Sequence, residues 1–269
     1  MWLMMHYRRI IPLICGLMLL VACGAPTPSS QSAAASNGSL GAVAQAASGM
    51  EVQGTLRLDG SSALLPLMQL ATDVFQSTHP NVHFVVAGSK SSAGRQLACT
   101  GSIDIGSSDV PLTADEKSKW NCADAVEIPV ALQAFVPVAN LRGPGAVTSL
   151  TKAQLVAIFS GAITNWKDVG GDDQAIVRVN RVVGSGTRAN MAKYLFDGDD
   201  SRFATSAAAG ENAEVAQAVH DTPGAISYLG LAYLSSADMR VFAIEGVQAA
   251  RATIQDGAWP ISGRGYVIT

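Results

Sequence analysis

From residue 55 onward, apolar residues recur at two different spacings along the chain. Every second residue is apolar in the segment 55–59, which predicts a strand, whereas the apolar positions of 64–75 have helical spacing. The same criteria predict further strands at 82–87, 103–106, 125–140, 176–183, 225–229 and 240–244. They predict further helices near Arg95, at 152–159, after 184–187 and at 214–220. Repeated strand–loop–helix units indicate an α/β fold with parallel strands and helices on the sheet faces.

The first fifty residues have a different pattern. Arg8 and Arg9 precede an apolar run, residues 10–22, that is too short to cross a bilayer and is typical of a secretion signal. The run ends in Leu-Val-Ala-Cys-Gly, which resembles the bacterial lipobox, where the cysteine receives a diacylglycerol. We therefore predict a lipoprotein signal peptide at 1–22, lipidation of Cys23, and a flexible, uncharged tether at 23–50. The alternative is an ordinary signal peptide with a chance cysteine.

Composition narrows the class of protein. Hydrophobic residues make up 48% of the 269 residues and charged residues only 14%, with a net charge of −3. Because globular domains usually contain about 25% charged residues, this chain is neither disordered nor strongly charged. The slightly acidic balance argues against nucleic-acid binding. The length favours two lobes or one large α/β unit.

Export also determines how the cysteines are interpreted. Cys15 would leave with the signal peptide and Cys23 would carry the lipid, so Cys99 and Cys122 would remain. In an oxidising compartment we predict that these two form a disulfide. The alternative, two free thiols or a redox pair, has little support because the sequence contains no CxxC motif.

Three turns built from serine, threonine and glycine each open a predicted helix: residues 60–62, 91–94 and 184–187. Free backbone N–H groups, hydroxyl donors and the positive end of a helix dipole favour an anion at such turns. Any one of them could be a simple helix cap. Because there are three, and because Arg181 lies four residues before Ser185, we predict one shared anion site.

Recognisable catalytic motifs are mostly missing. The segment 88–95 has neither the spacing nor the Lys-Ser/Thr end of a P-loop, and residues 184–186 do not match a nucleophile elbow. His79 and His83 lie four apart, but Pro80 between them argues against a helical zinc pair. The sequence therefore predicts no metal and no cofactor.

Taken together, these motifs resemble those of the phosphate-binding lipoproteins of ABC-type phosphate importers, within the two-lobed periplasmic binding proteins. The resemblance extends from about residue 55 to residue 269. It is carried by the segments 60–66, 91–94, 104–111, 128–130, 158–166, 181–187 and 224–230.

That resemblance implies an α/β fold of the type II periplasmic-binding-protein-like kind, in which two lobes joined by two crossover strands enclose a ligand cleft. On this chain the crossover strands would lie near residues 128–135 and 225–230. Lobe 1 would comprise residues 51–132 and 228–269, and lobe 2 residues 133–227.

The resemblance also implies a set of phosphate-binding residues drawn from both lobes. Ser91 would bind from the second turn, with its neighbour Ser92 as the alternative. The complete set is Ser62, the backbone at Ala63 and Leu64, Ser91, Asp109, Arg181, Ser185, Gly186 and Thr187.

Asp109 is the informative member of that set, because a carboxylate repels a fully ionised anion. Phosphate retains a hydroxyl near neutral pH and can donate it to Asp109, whereas sulfate has no proton to give. We therefore predict that Asp109 discriminates phosphate from sulfate. The alternative is that Asp109 only caps the turn before Pro111.

The resulting prediction is a non-enzymatic, monomeric receptor, lipid-anchored outside the cytoplasm, that delivers phosphate to the membrane permease subunits of an ABC importer. It would bind no nucleic acid. Two alternatives remain open. One is a binding protein for another oxyanion, such as sulfate, molybdate or a phosphorylated metabolite. The other is an exported phosphoesterase that uses Ser185 as its nucleophile.

Overall fold

The computed structural model describes residues 52–141, 147–236 and 239–269. The predicted signal peptide, the lipidated Cys23 and the tether lie outside the described residues. Within those three ranges, no helix is both long enough and apolar enough to span a bilayer.

Strands and helices alternate along most of the described chain. The strands are β1 (Gly54–Gly60), β2 (Val82–Val86), β3 (Ile105–Ser108), β4 (Glu127–Ala139), β5 (Ser149–Leu150), β6 (Val177–Arg181), β7 (Ala207–Ala209), β8 (Ala225–Gly230), β9 (Arg240–Val241), β10 (Ala243–Ile244) and β11 (Ser262–Ile268). The α-helices are α1 (Leu65–Thr78), α2 (Ser91–Cys99), α3 (Ala114–Lys119), α4 (Lys152–Phe159), α5 (Gly186–Phe196), α6 (Asn212–Asp221) and α7 (Arg251–Gln255). Short 3-10 helices lie at Trp166–Val169, Asp200–Arg202 and Leu231–Ser236.

Most of these strands form one curled, mixed sheet in the order β2-β1-β3-β11-β4-β8-β6-β7, with β9 beside β4. Strand β4 links its two parts, because residues 127–134 pair with β11 and residues 135–139 pair with β8. We call the part from β2 to β11, with the start of β4, the first half-sheet. The end of β4 with β8, β6 and β7 is the second half-sheet.

The crossover predicted at 128–135 is confirmed, since β4 changes partners between residues 134 and 135. The crossover predicted at Ala225–Gly230 is wrong, because β8 pairs with the end of β4 and with β6, both in the second half-sheet. The chain returns to the first half-sheet only at β11. The division into lobes at residues 132 and 228 stays a prediction. The strands form one continuous sheet, so strand pairing alone does not define a boundary between lobes.

The two half-sheets have cores of unequal size. In the second, β8 is buried at every position, and the large side chains of Phe159 and Trp166 are wholly buried around it. The smaller core of the first half-sheet centres on Leu58, Leu64 and Met68. Burial of apolar area on this scale is the main stabilising contribution to the fold.

Trp259 fixes the point where the half-sheets join. Its indole Nε1 donates to the carbonyl oxygens of Phe135, at 3.2 Å, and Ile261, at 3.1 Å. Those residues lie where β4 changes partners and just before β11 begins. Because Trp259 is 1% exposed, these hydrogen bonds are shielded from water and hold the two connecting segments together.

Several predicted elements agree closely with the structure, and the differences have local causes. Helix α4 has the predicted bounds because Thr151 and Gln154 form a capping box at its start. The strand predicted at 103–106 begins at Ile105 instead, since the Asp104 carboxylate accepts a hydrogen bond from the Arg57 N–H at 2.7 Å. The strand predicted at 240–244 is divided at Phe242, because its two parts pair with β4 and β5.

The Cys99–Cys122 disulfide is confirmed, and it ties the end of α2 to the residues after α3. The two cysteines are 23 residues apart. In the chain-entropy model a disulfide that closes a loop of this length contributes about 3 kcal/mol to stability.

We expect the double variant Cys99→Ser/Cys122→Ser to lose that amount of unfolding free energy in guanidinium denaturation. A reductant should destabilise the native chain but not the variant, and equal sensitivity of both to the reductant would contradict the assignment.

Candidate anion-binding site

The three serine- and glycine-containing turns converge where the half-sheets meet. The first follows β1, the second forms the first turn of α2, and the third connects β6 to α5. Carboxyl ends of strands in such sheets bring helix amino ends to one place, which is where ligands bind in open α/β folds. The Ser92 N–H donates to the Gly184 carbonyl oxygen at 3.1 Å, so the second and third turns are in direct contact.

Gly186 allows this close contact. A Cβ atom at position 186 would collide with the Ser91 hydroxyl and would lie 2.7 Å from the Cβ of Asp109. Only a residue without a side chain fits there. Gly186, Ser91 and Asp109 are therefore neighbours, as the predicted site requires.

Asp109 is 3% exposed and is surrounded by hydrogen-bond donors. Its Oδ1 accepts hydrogen bonds from the Ser61 hydroxyl and from Gln133 Nε2, the latter at 2.9 Å. Within the described part of the chain, its Oδ2 accepts one hydrogen bond, a long one of 3.4 Å from the Thr187 hydroxyl. Oδ1 is thus saturated by the protein, and Oδ2 retains most of its capacity to accept a proton from a ligand.

Arg181 supplies the positive charge and is 1% exposed. Its Nη2 donates to the Gly210 carbonyl oxygen at 2.7 Å and to Ser62 Oγ at 3.1 Å. Its Nε and Nη1 are buried, and neither has a hydrogen-bond partner among the described residues. Among the residues that the structure describes, no carboxylate lies within salt-bridge distance of the guanidinium.

Burial shifts the pKa values of the two charged groups in opposite directions. Removal from water raises the pKa of Asp109, and the donors Ser61 and Gln133 and the charge of Arg181 oppose that rise. Removal from water lowers the pKa of Arg181, but a guanidinium stays charged at neutral pH. A buried cation with unused donors and a buried acid with an unused acceptor together fit an anion that carries a proton.

The first turn divides its roles between two adjacent serines. Ser61 Oγ accepts the backbone N–H groups of Ala63, at 3.1 Å, and Leu64, at 3.2 Å, and so fixes the turn that precedes α1. Ser62 Oγ instead accepts hydrogen bonds from Arg181 and from Asn212 of the second half-sheet. The predicted backbone donors at Ala63 and Leu64 are therefore already paired with Ser61.

The remaining predicted residues lie in the same place. Ser91 is fully buried, and its Oγ accepts the Asp109 N–H at 3.1 Å. Ser185 caps α5, with its Oγ accepting the Arg188 N–H at 3.3 Å. The positive end of the α5 dipole, at Gly186 and Thr187, therefore lies at the site.

The structure adds two polar side chains that the sequence analysis missed. Gln133 donates to Asp109 from β4, and it is the single polar side chain between Ile128 and Ala139, a signal that could have identified it. Asn212, at the start of α6, is fully buried against Ser62. Nothing in the local sequence marks Asn212, because its partner lies 150 residues away.

The chain is similar to known proteins both in sequence and in fold. A family profile described as a PBP superfamily domain matches residues 44–269. The phosphate-binding protein PstS of Bacillus subtilis is 35% identical over 212 residues, which is 78% of this chain and 68% of that protein. PstS of Xylella fastidiosa is 31% identical, and that match covers 69% of this chain but only 56% of the relative.

A solved structure from Clostridium perfringens, described as a phosphate ABC transporter substrate-binding protein with bound phosphate, has a TM-score of 0.74. It is 25% identical, and the match covers 80% of this chain and 86% of that one. Fold and site together define a two-lobed solute-binding protein of the periplasmic-binding-protein-like kind, a class whose members are not enzymes. Within that class, the chain belongs to the phosphate-binding protein family.

The raised pKa of Asp109 predicts a cost to stability at neutral pH. The folded chain holds this proton to a higher pH than the unfolded chain, so the group's contribution to stability falls as pH rises above about 4. In phosphate-free buffer, the unfolding free energy of Asp109→Asn relative to the native protein should therefore increase from pH 4 to pH 7. Guanidinium denaturation at both pH values measures this difference.

The exposed Asp73 offers a matched control for that experiment. Asp73→Asn should change the unfolding free energy by less than about 0.5 kcal/mol. If the difference in unfolding free energy between Asp109→Asn and the native protein is the same at both pH values, burial does not raise the pKa of Asp109.

Proposed function

We propose that this protein binds inorganic phosphate outside the cytoplasm and delivers it to the membrane permease subunits of an ABC importer. The buried Arg181 guanidinium, with Nε and Nη1 unpartnered, carries this proposal. A buried unpaired charge is costly unless something compensates it, and an oxyanion bound in the cleft would do so. Membership of the phosphate-binding protein family supports both the ligand and the transporter.

Asp109 favours phosphate over the other oxyanions. A phosphate hydroxyl can donate to Oδ2, the oxygen that has only one long hydrogen bond from the protein. Sulfate and molybdate carry no proton near neutral pH, so each would place an unpaired negative charge against the carboxylate. The same residues would surround the ligand from both half-sheets: Ser62, Ser91, Asp109, Arg181, Ser185, Gly186 and Thr187.

The alternative of a phosphoesterase has little support at Ser185. A nucleophilic serine requires a base within hydrogen-bond reach. Ser185 Oγ accepts the Arg188 N–H as a helix cap, and among the described residues it forms no hydrogen bond with a histidine or a carboxylate. Binding without catalysis is the better account of this side chain.

We further propose that the protein is a monomer anchored in the membrane by a lipid on Cys23. The support is the order of Arg8 and Arg9, the apolar run 10–22 and the small residues before the cysteine. The uncharged segment 24–50 would then act as a tether that lets the binding unit reach its importer.

Asp109 provides the test of ligand identity. Isothermal titration of the native protein should detect phosphate binding and no sulfate binding. Asp109→Asn should weaken phosphate binding and admit sulfate, because the amide can donate to an ionised oxygen. We expect the affinity ratio of the two anions to narrow by roughly tenfold or more, the value of one charge-assisted hydrogen bond. An unchanged ratio would show that Asp109 is not the discriminator.

Arg181 provides the test of the anion charge site. Arg181→Gln keeps a polar side chain but removes the charge and the two unpartnered donors, so phosphate affinity should fall by roughly 100-fold or more. Arg202→Gln makes the same change in charge at a residue that stacks on Phe196, and it should leave the affinity within twofold. Equal losses in the two variants would indicate a general effect of net charge instead of a site at Arg181.

A further inference from the structure

Asn212 uses both ends of its side-chain amide near the site, although the sequence does not mark it. It is fully buried at the start of α6. Its Nδ2 donates to Ser62 Oγ at 2.9 Å, and its backbone N–H donates to the same oxygen at 3.3 Å. Its Oδ1 accepts the N–H of Gly230, the last residue of β8, at 2.8 Å. The amide is therefore held at both ends in one orientation.

These contacts determine what the Ser62 hydroxyl can do. Its oxygen accepts from Asn212 Nδ2, from the Asn212 backbone and from Arg181 Nη2. All three partners are N–H donors without a lone pair to offer, so the hydroxyl hydrogen cannot point toward any of them. In the part of the chain that the structure describes, Ser62 Oγ donates to no protein acceptor.

We propose that Asn212 is a positioning residue that makes Ser62 an obligatory hydrogen-bond donor to the bound anion. With its acceptor capacity filled, the hydroxyl can only donate in the remaining direction, toward an acceptor oxygen. This orientation is fixed before the ligand arrives, so binding does not lose the rotational entropy of the hydroxyl. The inference rests on the proposed function, since it assumes that phosphate is the acceptor.

Asn212 also connects the two half-sheets at the site. Ser62 belongs to the turn after β1 in the first half-sheet, whereas Asn212 and Gly230 belong to α6 and β8 of the second. The donor orientation of Ser62 therefore depends on the second half-sheet being in contact with the first. A hydroxyl released from Asn212 could rotate, and it would contribute less to binding.

A double-mutant cycle between Ser62 and Asn212 tests this mechanism by isothermal titration with inorganic phosphate. Ser62→Ala and Asn212→Ala should each weaken binding by roughly tenfold. If Asn212 acts through Ser62, then Asn212→Ala should change the affinity by less than about twofold in the Ser62→Ala background. A purely structural role would give the same loss in both backgrounds and would overturn the proposal.

Asn190 supplies a matched control for the cycle. Its Nδ2 donates to the carbonyl oxygens of Asp109, at 3.1 Å, and Gly186, at 2.9 Å, so it also bridges the half-sheets, but among the described residues it forms no hydrogen bond with Ser62. Any loss of phosphate affinity caused by Asn190→Ala should therefore be equal in the native and Ser62→Ala backgrounds. If Asn190→Ala shows the same coupling to Ser62 as Asn212→Ala, the coupling reflects closure in general, and the specific role of Asn212 is rejected.

The remaining outcomes are also decisive. If Asn212→Ala does not fold, then Asn212→Ser takes its place in the same cycle, with thermal unfolding confirming a folded variant. If Ser62→Ala binds phosphate as tightly as the native protein, Ser62 is not a donor to the ligand and the positioning role is wrong. If the native protein itself binds no phosphate, the proposed function has failed, which is distinct from a failed cycle in a protein that binds.

Discussion

The burial of Arg181 is the constraint on which the site depends. A guanidinium that is 1% exposed loses nearly all of its hydration, and no described carboxylate lies within salt-bridge distance of it. Two of its hydrogen bonds, to Gly210 and Ser62, fix the group from opposite half-sheets. Its remaining donors are therefore rigid and dehydrated, and this condition makes an interaction with an anion strong.

Asp109 sets the second condition, because its charge has the opposite sign in the same buried space. Ser61 and Gln133 saturate one of its oxygens, and the charge of Arg181 opposes the rise that burial causes in the pKa of the carboxyl group. An anion that satisfies both residues needs ionised oxygens for Arg181 and a hydroxyl for Asp109. Few common oxyanions other than phosphate and its close chemical relatives meet both conditions, so a small number of buried groups can provide selectivity.

Much of the fold and part of the site follow from the local sequence. Helix α4 is predictable because its cap residues and apolar spacing act over a few residues. The turns at Ser91 and Ser185 are predictable as helix starts for the same reason. Arg181 is recognised by its position four residues before Ser185, and Asp109 through the family resemblance. The Cys99–Cys122 pairing required only the count of cysteines and the expected compartment.

The tertiary structure alone decided which neighbouring groups contact each other. Which of the two adjacent serines bonds within its own turn and which reaches the other half-sheet cannot be read from the sequence, because the choice depends on Asp109 and Asn212, distant in sequence. The role of Asn212 is set by a contact with Ser62, 150 residues away in sequence. The chain crosses back at β11 and not at β8, because β8 pairs with the end of β4 in the second half-sheet. The sequence by itself determined the elements and the chemical groups through local spacing. Hydrogen-bond partners between half-sheets arise only when packing brings distant segments together, and no local pattern encodes them.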